Sequence, residues 1–212
     1  MTIPVFVINL KTRIDRRQHI LQQFYQKKEF DVHIVEACQH SNGAIGLWNS
    51  ITYILQNLIN VQDDYVLICE DDHQFTSEYS KGHLIKCIAE AKGKGADILL
   101  SGVSWFKDAI QISKNLFWVE KFSGLQFTIV FKKFYDKILQ AAFSETDAAD
   151  YKISSLSENK FIIYPFISTQ KEFGYSDVTA KNNEAGRVEK IFDECFERLQ
   201  LLSNVAAYYK TI

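Results

Sequence analysis

Three consecutive carboxylates that follow an apolar run constrain the fold of this 212-residue chain more than any other feature. Residues 65–69 are apolar, and Glu70, Asp71 and Asp72 come directly after them, with His73 next. Adjacent carboxylates repel one another, so a folded chain accepts them on a solvated surface or around a cation. A short continuous apolar run is typical of a parallel strand covered on both faces. The pattern favours a buried strand that carries acids to a site; a solvated acidic turn is the alternative.

The position of this acidic motif suggests what it could bind. Ligands of open α/β sheets bind beyond the carboxyl ends of the strands. Mg²⁺ and Mn²⁺ prefer oxygen ligands and often share them with substrate phosphates. The motif is therefore a candidate site for a metal-bound diphosphate.

Composition and charge narrow the class of protein. Hydrophobic residues make up 47% and charged residues 24% of the chain, which predicts one globular domain spanning residues 1–212. The net charge of −2 argues against a nucleic-acid partner, whose phosphates require a basic face. The four cysteines form no C-x-x-C pair, which disfavours a zinc ribbon. With neither a signal peptide nor a membrane span visible, we expect a cytoplasmic protein.

Strand and helix patterns alternate along the first half of the chain. They predict strands at 4–10, 32–36, 65–69 and 97–100, and helices at 13–27, 44–60 and 77–94. This order predicts a parallel sheet. Farther on, the patterns predict strands at 115–121, 125–131 and 161–165, and helices at 134–142 and 186–209. The apolar stripe of the last helix favours packing against the body, with contact to a membrane surface or a second copy as alternatives.

A series of motifs occurs in an order that resembles glycosyltransferase family 25. They are Val-Ile-Asn-Leu at 7–10, Arg-Ile-Asp-Arg-Arg at 13–17, Gly43-x-x-Gly46 with Ser50, Glu70-Asp71-Asp72, and Pro165 with Gln170 and then Ser176-Asp177. This is the family of lipooligosaccharide galactosyltransferases and the related collagen galactosyltransferases. The resemblance runs from Phe6 to about Thr179.

The resemblance implies an α/β fold of the GT-A type, with a Rossmann-like, mostly parallel central sheet flanked by helices. It also implies transfer of a sugar, with galactose as one candidate, to a hydroxyl of a glycan acceptor in the biosynthesis of lipopolysaccharide or another surface glycan. The expected donor is a nucleotide-diphosphate sugar, UDP-linked in our expectation, and the expected cofactor is Mn²⁺ or Mg²⁺. A lipid-linked acceptor would bring the protein to the inner face of the membrane. The acceptor, the linkage and the oligomeric state stay open.

The resemblance assigns donor-site roles to specific positions. Glu70 and Asp71 would face the donor, and Asp72 would bind the metal. Asn9, Arg13 and Arg16 match the family's opening motif and would lie near the nucleotide, where Arg can fork onto phosphate. An ordinary amphipathic helix start is the alternative for Arg13 and its neighbours.

Two departures from the family pattern lie in the third motif. Ala44 and Ile51 stand where the family commonly has a glutamate and a histidine. His73 is a candidate metal or phosphate contact that could partly compensate, with an ion-pair role as its alternative. A degenerate domain that binds a nucleotide sugar or a glycan without turnover stays open. So does a metal-dependent hydrolase or nucleotidyltransferase, although the histidines or glycine-rich loop expected of one are not evident.

The resemblance also implies inverting transfer, which needs a general base for the acceptor hydroxyl. Asp150 and Asp147 are the candidates, because their segment resembles the acidic segment before the family's last strand, and Asp150 fits it better. A helix cap is the alternative, above all for Asp147. A retaining mechanism stays open.

Two further segments are predicted to shape the substrate cleft. Gly124 would let the backbone approach a sugar, and Gln126 would bind its hydroxyls, with turn chemistry as the alternative. Gln170, Ser176 and Asp177 belong to a polar, aromatic-rich loop suited to a lid or an acceptor contact. Aromatic side chains that could stack on a sugar, unless they belong to the core, are Trp48, Trp105, Trp118, Phe173 and Tyr175.

Overall fold

An eight-stranded mixed sheet forms the centre of the computed structural model, which describes residues 2–60, 62–174 and 184–209. The strands are β1 (Ile3–Asn9), β2 (Phe30–Glu36), β3 (Tyr65–Glu70), β4 (His73–Phe75), β5 (Ile98–Leu100), β6 (Trp105–Phe106), β7 (Ala109–Gln111), β8 (Leu116–Val119), β9 (Phe122–Ser123), β10 (Phe127–Phe131), β11 (Lys160–Ile163) and β12 (Ser168–Gln170). The α-helices are α1 (Ile14–Phe24), α2 (Gly43–Asn57), α3 (Lys81–Gly93), α4 (Tyr135–Leu139), α5 (Ala149–Ser155) and α6 (Arg187–Tyr209).

The order of strands in the central sheet is β2-β1-β3-β10-β5-β11-β8-β7. Strands β2, β1, β3, β5, β11 and β7 point one way, whereas β10 and β8 point the other. The mostly parallel α/β fold is therefore confirmed. The insertion of β10 between β3 and β5 was not predicted, because this pairing joins segments that lie far apart in the sequence.

Both faces of the sheet are covered, which explains the continuous apolar runs of its strands. Along β1, Val5 and Val7 belong to a buried cluster that includes residues of α1 and α3, whereas Phe6 and Ile8 belong to the cluster on the other face, which includes residues of α2 and α6. The covering of β3 confirms the buried strand predicted before the acidic motif.

The C-terminal helix α6 packs on the sheet, as predicted. Its buried residues are Val188, Phe192, Cys195 and Leu199, at helical spacing. In the described part of the chain, no helix is both long enough and apolar enough to cross a membrane. The cytoplasmic location, with contact at the inner face of the membrane, stays a prediction.

Several element bounds differ from the predicted ones for local reasons. Helix α3 begins at Lys81 rather than at residue 77, because the Ser80 hydroxyl caps it by accepting the His83 N–H at 3.2 Å. Before it, residues 73–75 form β4, which pairs with β12. Helix α5 and the short strands β6, β7 and β9 were not predicted, since two- to seven-residue elements carry little periodicity.

Candidate functional site

A cleft of about 840 Å³ opens at the carboxyl ends of β1, β2 and β3. The lining at the end of β3, here called the β3 wall, carries the acidic motif together with Arg13 and Arg16 from the start of α1. The lining beside α5, here called the α5 wall, carries Gly124 after β9 and Asp150 on α5. Gln170 at the end of β12 also lines the cleft. The fold thus brings most of the predicted site residues to one place.

Asp71 is held in place by the first predicted motif. The Asn9 side-chain amide donates to Asp71 Oδ2 at 2.7 Å, and Arg16 Nη1 donates to Asp71 Oδ1 at 3.1 Å. The same Arg16 nitrogen lies 3.4 Å from Asp72 Oδ2. The guanidinium also lies 4.9 Å from the centre of the Phe173 ring. Asn9 and Arg16 therefore fix the geometry of the acidic motif, and the Arg16 guanidinium partly neutralises its charge.

Burial changes the protonation of the other two acids. It raises the pKa of Asp72 to about 7; the Arg16 guanidinium opposes this shift, and the Asp71 carboxylate adds to it. Burial also raises the pKa of Glu70 well above its usual range, and the charges of Asp72, Asp71 and Asp150 add to the effect. Because anions are costly here, a cation in the cleft would be stabilised.

Asp72 has the features expected of a metal ligand. Its Oδ1 is buried and has no hydrogen-bond partner among the residues that the structure describes, and a divalent cation would satisfy such an oxygen. Within residues 2–60, 62–174 and 184–209, no group of three or more His, Cys, Asp or Glu side chains is arranged to hold a metal ion. A cation at Asp72 would therefore take further oxygen ligands from phosphates or water, as Mg²⁺ commonly does.

His73 lies behind the acidic motif in an aromatic part of the core. Its Nδ1 is 2.7 Å from the Ser168 hydroxyl, and its ring stacks on Phe127 with the centroids 4.3 Å apart. Burial lowers the pKa of His73 well below its usual range, which favours the neutral ring. His73 is not among the residues that line the cleft.

Asp150 is held on the α5 wall by three donors. Its Oδ2 accepts the Ser123 hydroxyl at 2.5 Å and the Gly124 N–H at 3.2 Å. Its Oδ1 accepts the N–H of Tyr151 at 2.8 Å. Gly124 has a φ of +110°, which favours glycine, and a Cβ there would lie 3.0 Å from Gln126 Oε1. Glycine at position 124 thus allows the backbone conformation in which the Gly124 N–H binds Asp150.

Asp147 and Gln126 lie outside the cleft lining. Asp147 Oδ2 accepts the N–H of Ser144 at 2.8 Å and pairs with Lys152 at 3.3 Å. Gln126 is fully buried, and its amide donates to the Gly102 carbonyl at 2.9 Å. Both side chains therefore form contacts within the protein and not in the cleft.

The end of β12 brings Gln170 beside the acidic motif. Gln170 pairs with His73 across the two-stranded sheet of β12 and β4, and the next N–H, that of Lys171, donates to the Asp72 carbonyl at 2.7 Å. Ser176 and Asp177 lie outside the described residues, so their predicted acceptor or lid role stays a prediction.

The Gly43-x-x-Gly46 motif with Ser50 anchors the loop between β2 and α2, which forms another part of the cleft. A Cβ on Gly46 would lie 2.6 Å from the Cys38 carbonyl oxygen. The Ser50 hydroxyl donates to the Gly46 carbonyl at 2.7 Å and accepts the Cys38 N–H at 2.8 Å. Ile51, which stands where the family has a histidine, is buried in the hydrophobic core of this protein.

Three residues that the sequence reasoning did not assign to the site belong to it. Ser123 binds Asp150, and Tyr151 and Arg187 line the cleft. For Ser123, the Ser123-Gly124 turn before β10 was a signal in the sequence. Nothing in the local pattern indicated the other two, because α5 was not predicted and α6 reads as a packing helix.

The chain's first segment decides which family it resembles. Residues 2–44 match glycosyltransferase family 25, described as an LPS biosynthesis protein family. The predicted resemblance to family 25 is confirmed for this segment, which contains Asn9, Arg13 and Arg16. No curated protein matches the chain at a significant level.

Solved structures share the fold at low identity. A197 from STIV matches with a TM-score of 0.55 and 15% identity, over 84% of this chain and 87% of that one. UDP-glucose pyrophosphorylase complexed with UDP-glucose matches with a TM-score of 0.50 and 8% identity, over 99% of this chain and 82% of that one. These similarities support the α/β, Rossmann-like fold.

Proposed function

We propose that the protein is a glycosyltransferase that moves a sugar from a nucleotide-diphosphate sugar to a hydroxyl of a glycan acceptor. The observation that carries the proposal is the cleft lined by two groups of carboxylates: Glu70-Asp71-Asp72 with arginines on the β3 wall, and Asp150 on the α5 wall. The match of residues 2–44 to family 25 supports the same reaction class. A glycan of the lipopolysaccharide type, free or lipid-linked, is the proposed acceptor, and galactose is one candidate sugar.

The wall with the acidic motif is the proposed donor site. Arg13 and Arg16 line the cleft, and a guanidinium binds phosphate oxygens with paired N–H groups. Asp72, with its unsatisfied Oδ1, would hold Mn²⁺ or Mg²⁺. Such a cation, when bound, neutralises the charge that develops on a departing diphosphate. A UDP-linked donor is the first to test, because a protein of similar fold is known in complex with UDP-glucose.

The α5 wall is the proposed place of proton transfer. Asp150 would accept the proton of the acceptor hydroxyl as its oxygen attacks the anomeric carbon from the side opposite the departing nucleotide. The product then has inverted configuration. The Ser123 hydroxyl and the Gly124 N–H orient the carboxylate for this step.

A thermal-shift experiment tests the donor site first. UDP, GDP and CMP, and sugars linked to them, are added with and without Mn²⁺ to the wild type, to Asp72→Ala and to Asp147→Ala as a control outside the cleft. We expect one nucleotide class to raise the melting temperature in a manganese-dependent way, because ligand that binds only the folded state stabilises it by mass action. This rise should vanish in Asp72→Ala and persist in Asp147→Ala, each compared with its own ligand-free protein.

Product analysis separates transfer from its rivals. Incubation of the stabilising nucleotide sugar with a glycan acceptor should yield an elongated glycan and free nucleoside diphosphate. Binding without any product would instead identify a degenerate binding domain, and cleavage that ignores the acceptor would identify a hydrolase. No stabilisation by any of the nucleotides would contradict the proposal.

A further inference from the structure

Two aromatic rings stand exposed in the cleft next to Asp150. Trp105 on β6 is 40% exposed and Tyr151 on α5 is 50% exposed. Both line the cleft, and their ring centroids lie 5.9 Å apart at an interplanar angle of 72°. A large exposed aromatic surface inside a cleft is typical of a binding site, because contact between apolar surface and water is unfavourable.

The strands and the helix that hold Asp150 also carry the two aromatic residues. Trp105 pairs with Ser123 across the sheet of β6 and β9, and Ser123 donates its hydroxyl to Asp150 Oδ2. Tyr151 follows Asp150 directly and donates its N–H to Asp150 Oδ1. Hydrogen bonds therefore join the carboxylate to the backbone segments that carry both rings, so a molecule on the rings would lie beside the proposed base.

The other aromatic residues named from the sequence are used elsewhere, so far as the structure describes them. Trp48 is buried and stacks on Phe143 with the centroids 4.6 Å apart. The Trp118 indole donates to the Glu158 carbonyl at 2.7 Å, and Trp118 does not line the cleft. Phe173 packs beside Arg16, and Tyr175 lies outside the described residues.

From this geometry we propose that Trp105 and Tyr151 form the acceptor subsite and bind a pyranose ring. The inference rests on the proposed function and adds the chemical class of the acceptor's terminal unit. A pyranose presents C–H groups on its faces, which pack on aromatic rings, and hydroxyls around its edge. The packing would leave an edge hydroxyl beside Asp150, while Ser104, which also lines the cleft, adds a polar group nearby.

Tryptophan fluorescence tests the subsite without any donor. Methyl β-galactoside, methyl β-glucoside and the methyl β-glycoside of N-acetylglucosamine are titrated against the wild type, Trp105→Phe and Trp118→Phe. We expect at least one glycoside to change the emission of the wild type and of Trp118→Phe, with little change in Trp105→Phe. Dependence of the Trp105 emission on protein concentration, with no response to glycosides, would overturn the inference in favour of a contact between copies.

Transfer kinetics test whether the subsite serves the reaction. Trp105→Ala and Tyr151→Ala should raise the acceptor KM roughly three- to tenfold and leave the donor KM unchanged, and Trp105→Phe should restore most of the loss. Circular dichroism and the melting temperature check that each variant folds. An unchanged acceptor KM in both alanine variants would overturn the inference while the donor site stands. Glycoside binding at Trp105 in a protein that binds no nucleotide would support the sugar subsite and reject the transferase.

Discussion

The two walls of the cleft hold their carboxylates in opposite ways. On the β3 wall, Asp71 and Asp72 share the guanidinium of Arg16, and burial raises the pKa of Asp72 to about 7. On the α5 wall, Asp150 is held by the Ser123 hydroxyl and by backbone N–H groups, all of them neutral donors. The first wall concentrates negative charge that a cation relieves, whereas the second holds one carboxylate in a fixed orientation.

This difference indicates a division of work within one cleft. A clustered set of acids suits a cation and a diphosphate, because each added positive charge lowers its electrostatic cost. A single carboxylate fixed by neutral donors suits proton transfer, which requires orientation more than charge. Substitutions on the two walls should therefore have different signatures.

The largest expected effect follows from removing the proposed base. Asp150→Asn keeps the shape of the side chain and loses its basicity, so we expect the rate of transfer to fall by about 10²- to 10⁴-fold. Nucleotide binding, measured by thermal shift, should stay close to that of the wild type. Asp147→Asn is the matched control three residues away, outside the cleft, and should keep most of the activity.

A different pattern would contradict the assignment of the base. If Asp147→Asn lost more activity than Asp150→Asn, the proton would be transferred elsewhere. If Asp150→Asn abolished nucleotide binding as well, the contrast between the walls would be wrong.

The next effect is on stability and comes from the charge on the β3 wall. The pKa of Asp72 lies near 7 in the folded protein, against an ordinary value of 3.8, so the folded state binds its proton more tightly. The unfolded state loses this proton first as the pH rises, so the stability of the fold falls between about pH 4 and pH 7, and the loss is fully present above that range. We expect metal-free Asp72→Asn to be more stable than the wild type by roughly 3 kcal/mol at pH 8, with little difference at pH 4.

Urea unfolding of both proteins at pH 4 and at pH 8 measures this difference. The comparison with Asp72→Asn cancels the contribution of groups that are alike in both proteins, such as Asp147, whose lowered pKa changes the stability in the opposite direction. An equal free energy of unfolding for the two proteins at pH 8 would show that ionised Asp72 carries no such cost.

The sequence predicted the β3 wall better than the α5 wall, for a physical reason. Glu70, Asp71 and Asp72 end a buried strand, and strand and helix periodicity in residues 3–100 is strong, so the first half of the fold and this wall follow from local pattern. Asp150 depends on Ser123, which is 27 residues away, and on β6 and β9, which have two residues each. Such contacts arise from tertiary packing, so the local sequence pattern does not predict them.

The smallest expected effect concerns the backbone that supports Asp150. An alanine at Gly124 would have to adopt a φ of +110° and place its Cβ 3.0 Å from Gln126 Oε1 and 3.2 Å from the Ser104 nitrogen. We expect Gly124→Ala to lower the free energy of unfolding by about 2 kcal/mol, and to lower the transfer rate because the Gly124 N–H moves from Asp150. Gly93→Ala is the control, since a Cβ there meets nothing within 4 Å and alanine favours the end of helix α3. Equal stability of the two variants in urea would show that the close approach at Gly124 carries no strain.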